Sequence, residues 1–405
     1  MSSVLLVPDL PLERWASMDR YAHRLHDWFE SSDFGFQVRL AAHIGALTRD
    51  SVGRRGATGE RRSGRGKAFV RWWTQPVDPS RLILPGPFHG PQQWAARYYF
   101  YPWRVKREAK RVDLVHVLDH SYAHMIETAG RRPVVVTVHD LMPVVVLRSP
   151  TGGGGWREGV RNRFLRQALK ALRQADAFIV GTEWLKHELA TWLGSDKNIF
   201  VVPFGVDRAF FGESSVGGAR ERWRRDWRIP EDAFVVLHVG STVDRKNVPL
   251  VIQTLARLRQ QTDAYLLQVG GRFSAEQEQL IDRLDLRRAV RSVASADETA
   301  LRRAYRAADV LLFPSLYEGF GFPVLEAFAS GLPVVTSGAG GLKEVAGNAA
   351  LVVEGRDPGA YVEALERLDD ADERDDLIQK GWTRARGFTW QKTAAQTAEV
   401  YKSLF

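Results

Sequence analysis

Residues 310–327 read Val-Leu-Leu-Phe-Pro-Ser-Leu-Tyr-Glu-Gly-Phe-Gly-Phe-Pro-Val-Leu-Glu-Ala. The opening run, Val310–Phe313, is short, apolar and bounded by Pro314, as a buried strand would be. Pro323 suits the first turn of a following helix. Strand, glycine loop and helix in that order are part of a βαβ unit. The loop then falls beyond the carboxyl end of the strand, where open α/β sheets collect ligands. Gly319 and Gly321 let the backbone approach a ligand closely. Glu318 lies in the loop and Glu326 one turn into the helix, so both carboxylates can reach one crevice from different depths. A carboxylate there suits a pair of sugar hydroxyls, such as a ribose diol. Either Glu alone reads as a solvated or helix-capping residue; the pair with Gly-x-Gly between them is harder to explain that way.

Working outward, the same alternation continues on both sides. Upstream lie Phe234–Val239, a helix over 247–260, Ala264–Val269, a helix over 275–284, a strand near 290–294 and a helix over 298–307. Downstream follow Pro333–Thr336, Leu351–Val353 and a helix over 358–368. This is one doubly wound unit. The N-terminal half repeats the architecture without repeating the sequence. Its strands are Val4–Val7, Gln37–Ala41, Leu114–Val117, Val134–Val138, Ala177–Val180 and Ile199–Val202, with helices over 157–173 and 183–193. The fold class is α/β, two Rossmann-like doubly wound parallel-sheet domains. Domains are expected over 1–205 and 206–386, with 387–405 a C-terminal helix that packs back on the first. Residues 208–232, charged and irregular, read as the connection.

Composition agrees. The chain has 405 residues, 44% of them hydrophobic, with 20 Phe, 13 Trp and 10 Tyr, which supplies two cores and excludes a disordered chain. It has no cysteine, so disulfides, thiolate metal sites and Cys nucleophiles are excluded. Met-Ser-Ser-Val-Leu-Leu-Val is cut off by Pro8 and Asp9 before an apolar core of signal-peptide length forms, and reads as a first strand. No run of about 20 apolar residues occurs that would span a bilayer. The net charge of +9 is unevenly placed: residues 1–200 carry 30 Lys+Arg against 19 Asp+Glu, and residues 201–405 carry 27 against 29.

Three further strand ends are chemically loaded. After Val239 comes Gly240-Ser241-Thr242-Val243-Asp244-Arg245-Lys246-Asn247. A glycine turn, exposed amides at a helix start and two cations make a diphosphate cradle, or else an ordinary solvated Arg-Lys pair. His139-Asp140 follows Val134–Val138, placing a hydrogen-bond donor or general base at a strand end. Asp119-His120, with His124 beyond, follows Leu114–Val117. These histidines lack the carboxylate cluster that a metal site needs. Asp370-x-Asp372 sits in an acidic run, 369–376, and reads as a solvated face. Gly152–Gly155 lacks the spacing of a phosphate loop and reads as a flap.

Together, Gly240…Arg245-Lys246-Asn247, Pro-Ser-x-x-Glu-Gly-Phe-Gly-x-Pro-x-x-Glu-Ala at 314–327, Gly331-x-Pro333-Val334-Val335 and Val201-x-Pro203-x-Gly205-Val206-Asp207 resemble the retaining GT-B glycosyltransferases of family 4. The resemblance covers roughly 130–400. It implies two domains facing each other across a cleft and a nucleotide-diphospho-sugar donor as co-substrate, with no metal and no other cofactor. Arg245 and Lys246 would hold the donor diphosphate and Glu326 the ribose. Glu318 would lie beside the donor sugar, with Gly240, Ser241 and the amides of Phe320 and Gly321 contacting phosphate or sugar hydroxyls. His139 would contact the sugar near its anomeric carbon. The catalytic set is therefore His139, Glu318, Arg245 and Lys246, with no enzymic nucleophile assigned. GDP-mannose is the first expectation for the donor and a UDP-sugar the second. Two stretches depart from the pattern: Pro8-Asp9-Leu10-Pro11 stands where relatives carry Gly-Gly, and Ala294 or a neighbour replaces a glycine in the base-binding region 290–297.

The first domain would bind the acceptor, a saccharide or a polyprenyl-diphosphate-linked saccharide, with Asp119 and His120 as candidate contacts. Residues 51–173 hold 23 Lys+Arg and 8 Asp+Glu. Six of these cations lie in the glycine-rich stretch 53–67, which reads as a mobile basic loop. Trp72, Trp73, Trp94, Tyr98, Tyr99, Phe100, Tyr101 and Trp103 interleave with them. Basic plus aromatic surface suits an anionic membrane face, so a cytoplasmic enzyme with peripheral contact at the inner face is expected. In the helix over 157–173, the apolar stripe packs inward and the arginines face water. The rival class is a non-catalytic or nucleic-acid-binding protein using the same charge. No nucleic-acid motif is present, and a binding module has no need of Arg245-Lys246 and Glu318-x7-Glu326 together.

Overall fold

The computed structural model describes residues 2–10, 16–41, 96–148, 156–211 and 219–405. The basic stretch 53–67, Trp72, Trp73, Trp94 and Gly152–Gly155 lie outside the described residues. The chain divides into two compact units, one of Met1–Thr137, Pro150–Phe178 and Tyr401–Phe405, the other of Val138–Ser149 and Ile179–Val400.

The first six-stranded sheet is built from β1 (Ser2–Val7), β2 (Phe36–Leu40), β3 (Leu114–Val117), β4 (Val134–Val138), β5 (Ala177–Val180) and β6 (Ile199–Val201), in the order β2-β1-β3-β4-β5-β6. Its accompanying helices are α1 (Ala16–Ser31), α2 (Tyr101–Ala109), α3 (Met142–Arg148), α4 (Trp156–Leu172) and α5 (Glu183–Leu193). Every residue of β3, β4 and β5 is buried. That is why these strands read as unbroken apolar runs: a parallel sheet is covered on both faces. In α4, which packs against the 3₁₀ helix His120–Thr128, Leu169, Ala171 and Leu172 are buried while Arg163, Arg166 and Lys170 are exposed. In the first unit, His116 lies between two hydroxyls, its Nδ1 2.7 Å from Tyr401 Oη and its Nε2 2.8 Å from Thr137 Oγ1.

After α6 (Ala219–Asp226) the second sheet follows: β7 (Phe234–Val239), β8 (Ala264–Val269), β9 (Val290–Val293), β10 (Val310–Phe313), β11 (Val334–Thr336) and β12 (Leu351–Val352), in the order β12-β11-β10-β7-β8-β9. Its helices are α7 (Val248–Leu258), α8 (Ala275–Arg283), α9 (Glu298–Ala307), α10 (Phe322–Ala329), α11 (Leu342–Ala346), α12 (Pro358–Glu366), α13 (Ala371–Arg386) and α14 (Trp390–Lys402). α7 buries Val248, Val251, Ile252 and Leu255 against Val236, Leu266, Val310 and Leu312 of the sheet. Two parallel doubly wound sheets are thus present, as expected.

Strand order reverses between β1 and β3 in the first sheet and between β7 and β10 in the second. Crevices open at such reversals because the crossover helices depart to opposite faces. The loops after β7 and β10 therefore emerge side by side, although some 70 residues of sequence separate them. One stretch differs from the sequence reading. Within 208–232, α6 carries Arg224, only 2% exposed. Arg224 donates to the carbonyls of Ala307, Glu231 and Ala233 and to the Asp309 carboxylate, so its charge is an internal anchor. The acidic run at 369–376 is largely exposed, as read from the sequence, and opens α13, where the Asp370 side chain accepts from the amides of Asp372 and Glu373.

Candidate active site

The residues at the reversal of the second sheet all belong to the second compact unit. β7 ends at Val239, and the chain turns through Gly240 into a 3₁₀ turn, Asp244–Lys246. Asn247 adopts a left-handed conformation, φ 55°, and its side-chain amide donates to the Pro314 carbonyl at 3.2 Å. The Leu316 amide in turn donates to the Arg245 carbonyl at 2.7 Å. These bonds tie the loop after β7 to the loop after β10.

The ties bring Arg245, Lys246 and Glu318 together. One carboxylate oxygen, Glu318 Oε1, accepts from an Arg245 guanidinium nitrogen at 3.0 Å and from Lys246 Nζ. Lys246 is 7% exposed and Glu318 8%. Lys246 Nζ also lies 4.7 Å from the centroid of the Phe313 ring, a face that attracts a cation. Burial pushes the Lys246 ammonium down from its ordinary pKa, against the pull of Glu318. Burial would equally raise Glu318, but the charges of Lys246 and Arg245 and the hydrogen bonds outweigh it and hold the carboxyl below its usual range. Glu318 therefore stays ionised at neutral pH and neutralises part of the cationic pair.

The Glu318 loop is held by its backbone. An added Cβ at Gly319 would stand 1.9 Å from the His139 carbonyl oxygen, so only glycine fits there. The Gly319 carbonyl accepts from Thr182 Oγ1 at 2.8 Å, and the Glu318 carbonyl from the Gly341 amide at 2.8 Å. The Leu141 amide donates to Tyr317 Oη at 3.0 Å. His139 and Asp140, at the end of β4, are thereby placed against this loop, and the His139 ring lies 5.2 Å from that of Phe204. Phe204 stacks on Phe322 and contacts Phe320. Among the described residues, the amides of Ser241, Phe320 and Gly321 donate to no protein acceptor. Gly321 opens α10 with no side-chain cap. Free amides at a helix start form an anion site.

Glu326 is 3% exposed and accepts from Tyr305 Oη of α9 at 2.7 Å. It stands one turn further along the chain into α10 than the loop that carries Glu318. Asp119 and His120 belong to the first unit, at that sheet's reversal. The Asp119 side chain accepts from the Ser121 amide and caps the 3₁₀ helix His120–Thr128. His124 is half-buried beside Arg97, and the burial it has lowers its pKa to about 4. No group of three or more His, Asp or Glu side chains able to hold a metal ion occurs among the described residues.

Sequence reasoning assigned no role to Tyr317, Tyr305, Thr182, His238 or Gln268. For the last two a signal exists: His238 and Gln268 are polar residues in the otherwise apolar runs Phe234–Val239 and Ala264–Val269.

Two doubly wound sheets, with cations and free amides at the reversal of the second, define the GT-B class of glycosyltransferases. The model for Glycosyl transferases group 1 matches residues 219–384 and that for Glycosyltransferase Family 4 matches residues 20–210. D-inositol 3-phosphate glycosyltransferase of Corynebacterium urealyticum is 33% identical over 351 residues, 81% of this chain and 82% of the relative. The enzyme of the same name from Corynebacterium efficiens is 30% identical over 340 residues, 79% of each chain. Among solved structures, sucrose-phosphate synthase from Thermosynechococcus elongatus shares the fold with a TM-score of 0.72 at 22% identity, covering 100% of this chain and 99% of that one. Anabaena HepE, in complex with UDP and glucose, gives a TM-score of 0.68 at 18% identity over 100% of both chains. The chain belongs to family 4 of the glycosyltransferases, the Glycosyl transferases group 1.

Proposed function

We propose that the enzyme transfers a sugar from a nucleoside diphosphate to an acceptor hydroxyl with retention of anomeric configuration. The observation that carries this reading is the pair Arg245 and Lys246 at the strand reversal, beside amides that donate to nothing in the protein among the described residues. Breaking the glycosidic bond leaves negative charge on the departing diphosphate, and fixed cations in a water-poor site stabilise that charge. On donor binding, the diphosphate takes over the cations that Glu318 engages, and Glu318 turns to hydroxyls of the sugar. Glu326, steadied by Tyr305, holds the ribose diol. His139 lies near the anomeric carbon.

For the donor, a UDP-sugar and GDP-mannose are the two candidates. The complexes of HepE with UDP and with UDP-glucose favour the first, and the commonness of GDP-mannose in the family the second. For the acceptor, the relatives' name points to a hydroxyl on a phosphorylated cyclitol, a small anionic saccharide-like acceptor that a basic domain suits. Asp119 and His120 are the candidate contacts. A lipid-linked acceptor at the inner face of the membrane is the second reading. It is supported by Tyr99, Phe100 and Trp103, which are 61%, 42% and 60% exposed. Lys106, Arg107, Lys110 and Arg111, all exposed, continue the same stretch.

One matrix of assays tests these assignments: release of nucleoside diphosphate from UDP-, GDP- and ADP-sugars, with inositol phosphate and polyprenyl-diphosphate-linked acceptors, at low and high salt. Turnover with one nucleotide class and with inositol phosphate is expected. Salt inhibition confined to the lipid-linked acceptor would favour the second reading; no release from any donor would sink the proposal.

A further inference from the structure

β7 and β8 are parallel neighbours whose register places His238 opposite Gln268. Both side chains are fully buried. Gln268 Nε2 donates to the Gly240 carbonyl at 2.8 Å, which leaves Gln268 Oε1 as an acceptor. His238 Nδ1 lies 2.7 Å from that oxygen and must carry the proton. Burial lowers the His238 pKa to about 4, so the ring is neutral at working pH and the bond does not titrate there. The imidazole also stacks on Phe313, the ring on whose face Lys246 rests, with centroids 6.0 Å apart.

The Gly240 turn is thus held from within. Its φ of 148° and an added Cβ only 3.3 Å from Lys246 Cε make glycine the fitting residue there. Its amide donates to the Val269 carbonyl and its own carbonyl accepts from Gln268. A trans peptide is planar, with C=O and N–H pointing in opposite directions. With the Gly240 carbonyl fixed on the buried Gln268, the Ser241 N–H points away from the sheet interior. That amide has no acceptor among the described residues.

We propose that His238 and Gln268 are positioning residues for the donor: the imidazole fixes the Gln268 amide, Gln268 fixes the Gly240–Ser241 peptide, and the Ser241 N–H is thereby presented to the donor diphosphate beside Lys246. This rests on the assignment of the Arg245–Lys246 loop as the diphosphate site. It makes Ser241 a backbone donor and gives the two polar strand residues a function that core packing does not need. In a sheet interior, hydrocarbon at both positions would fill the space without a buried polar pair.

The test is calorimetric titration of the full chain with UDP and GDP, and with uridine and guanosine, which lack the phosphates. The variants are Gln268→Met, His238→Leu and His238→Asn, the last retaining an N–H donor near the position of Nδ1. Gln268→Met and His238→Leu are expected to weaken diphosphate binding roughly tenfold, the worth of about one lost hydrogen bond, with nucleoside binding unchanged. His238→Asn is expected to stay within about threefold of the original protein. Equal losses for nucleosides and diphosphates, or diphosphate affinities unchanged in all three variants, would overturn the proposal alone. Failure of the unaltered protein to bind either diphosphate would overturn the assignment beneath it.

Discussion

Lys246→Met lowers kcat/KM for the nucleotide sugar by roughly a hundred- to a thousandfold while the protein still melts cooperatively. The magnitude is that of removing one preorganised charge or dipole aimed at developing transition-state charge. Burial decides that the effect sits at the upper end for Lys246. At 7% exposure the ammonium acts through protein rather than water, and salt screens it little. Arg245 is more exposed, its side chain at 22%, so Arg245→Met is expected to cost less, on the order of tenfold. Methionine keeps the stem over Phe313 and removes only the charge, and Glu318 keeps Arg245 as a partner. Steady-state release of nucleoside diphosphate measures the loss. A lowered melting temperature with unchanged kcat/KM would mean that Lys246 is a structural counter-ion of Glu318 and no more. The pH dependence has a definite sign. Because Glu318 is held below the ordinary carboxylate pKa, its ion pairs stand at neutral pH and are lost only as pH falls through that depressed value. The acid limb of kcat/KM, which reports the free enzyme, is expected below the usual carboxylate range.

Glu326→Ala raises the KM for the donor by about a hundredfold or more, with a smaller change in kcat. Two charge-assisted hydrogen bonds to a ribose diol, each worth roughly 1.5–3 kcal/mol, account for that size. Ground-state and transition-state complexes share these bonds, so the loss falls on KM. Tyr305→Phe removes the hydroxyl that steadies the carboxylate and is expected to cost about tenfold or less. Nucleoside diphosphates carrying ribose or 2′-deoxyribose separate this role from a packing role. The original protein prefers ribose, and Glu326→Ala abolishes the preference. An unchanged ribose preference in the variant would remove Glu326 from the ribose site.

Much of this is legible in the sequence, for local reasons. Strands such as Val134–Val138 are continuous apolar runs because both faces of a parallel sheet are covered. Glycines and Pro323 mark the loop and the start of α10 within a few residues of one another. Non-local pairings are not legible. The sequence sets Glu318 some 70 residues from Lys246, and only the adjacency of β7 and β10 makes one carboxylate oxygen the counter-ion of both cations. The same holds for His238 and Gln268, whose meaning depends on register, and for Arg224, which lies in a stretch read as an irregular connection but reaches three carbonyls inside the unit. Asp119 reads in the sequence only as a binding candidate at a strand end, and its capping of the 3₁₀ helix that follows comes from the structure.

The central claim is transfer with retention from a nucleoside diphosphate sugar, and the anomeric configuration of the product tests it most directly. Given an α-linked donor, the one-bond carbon–proton coupling at the anomeric centre of the isolated product is predicted to report an α linkage, formed in step with nucleoside diphosphate release. A β-linked product, or a sugar product formed without nucleoside diphosphate, would contradict it.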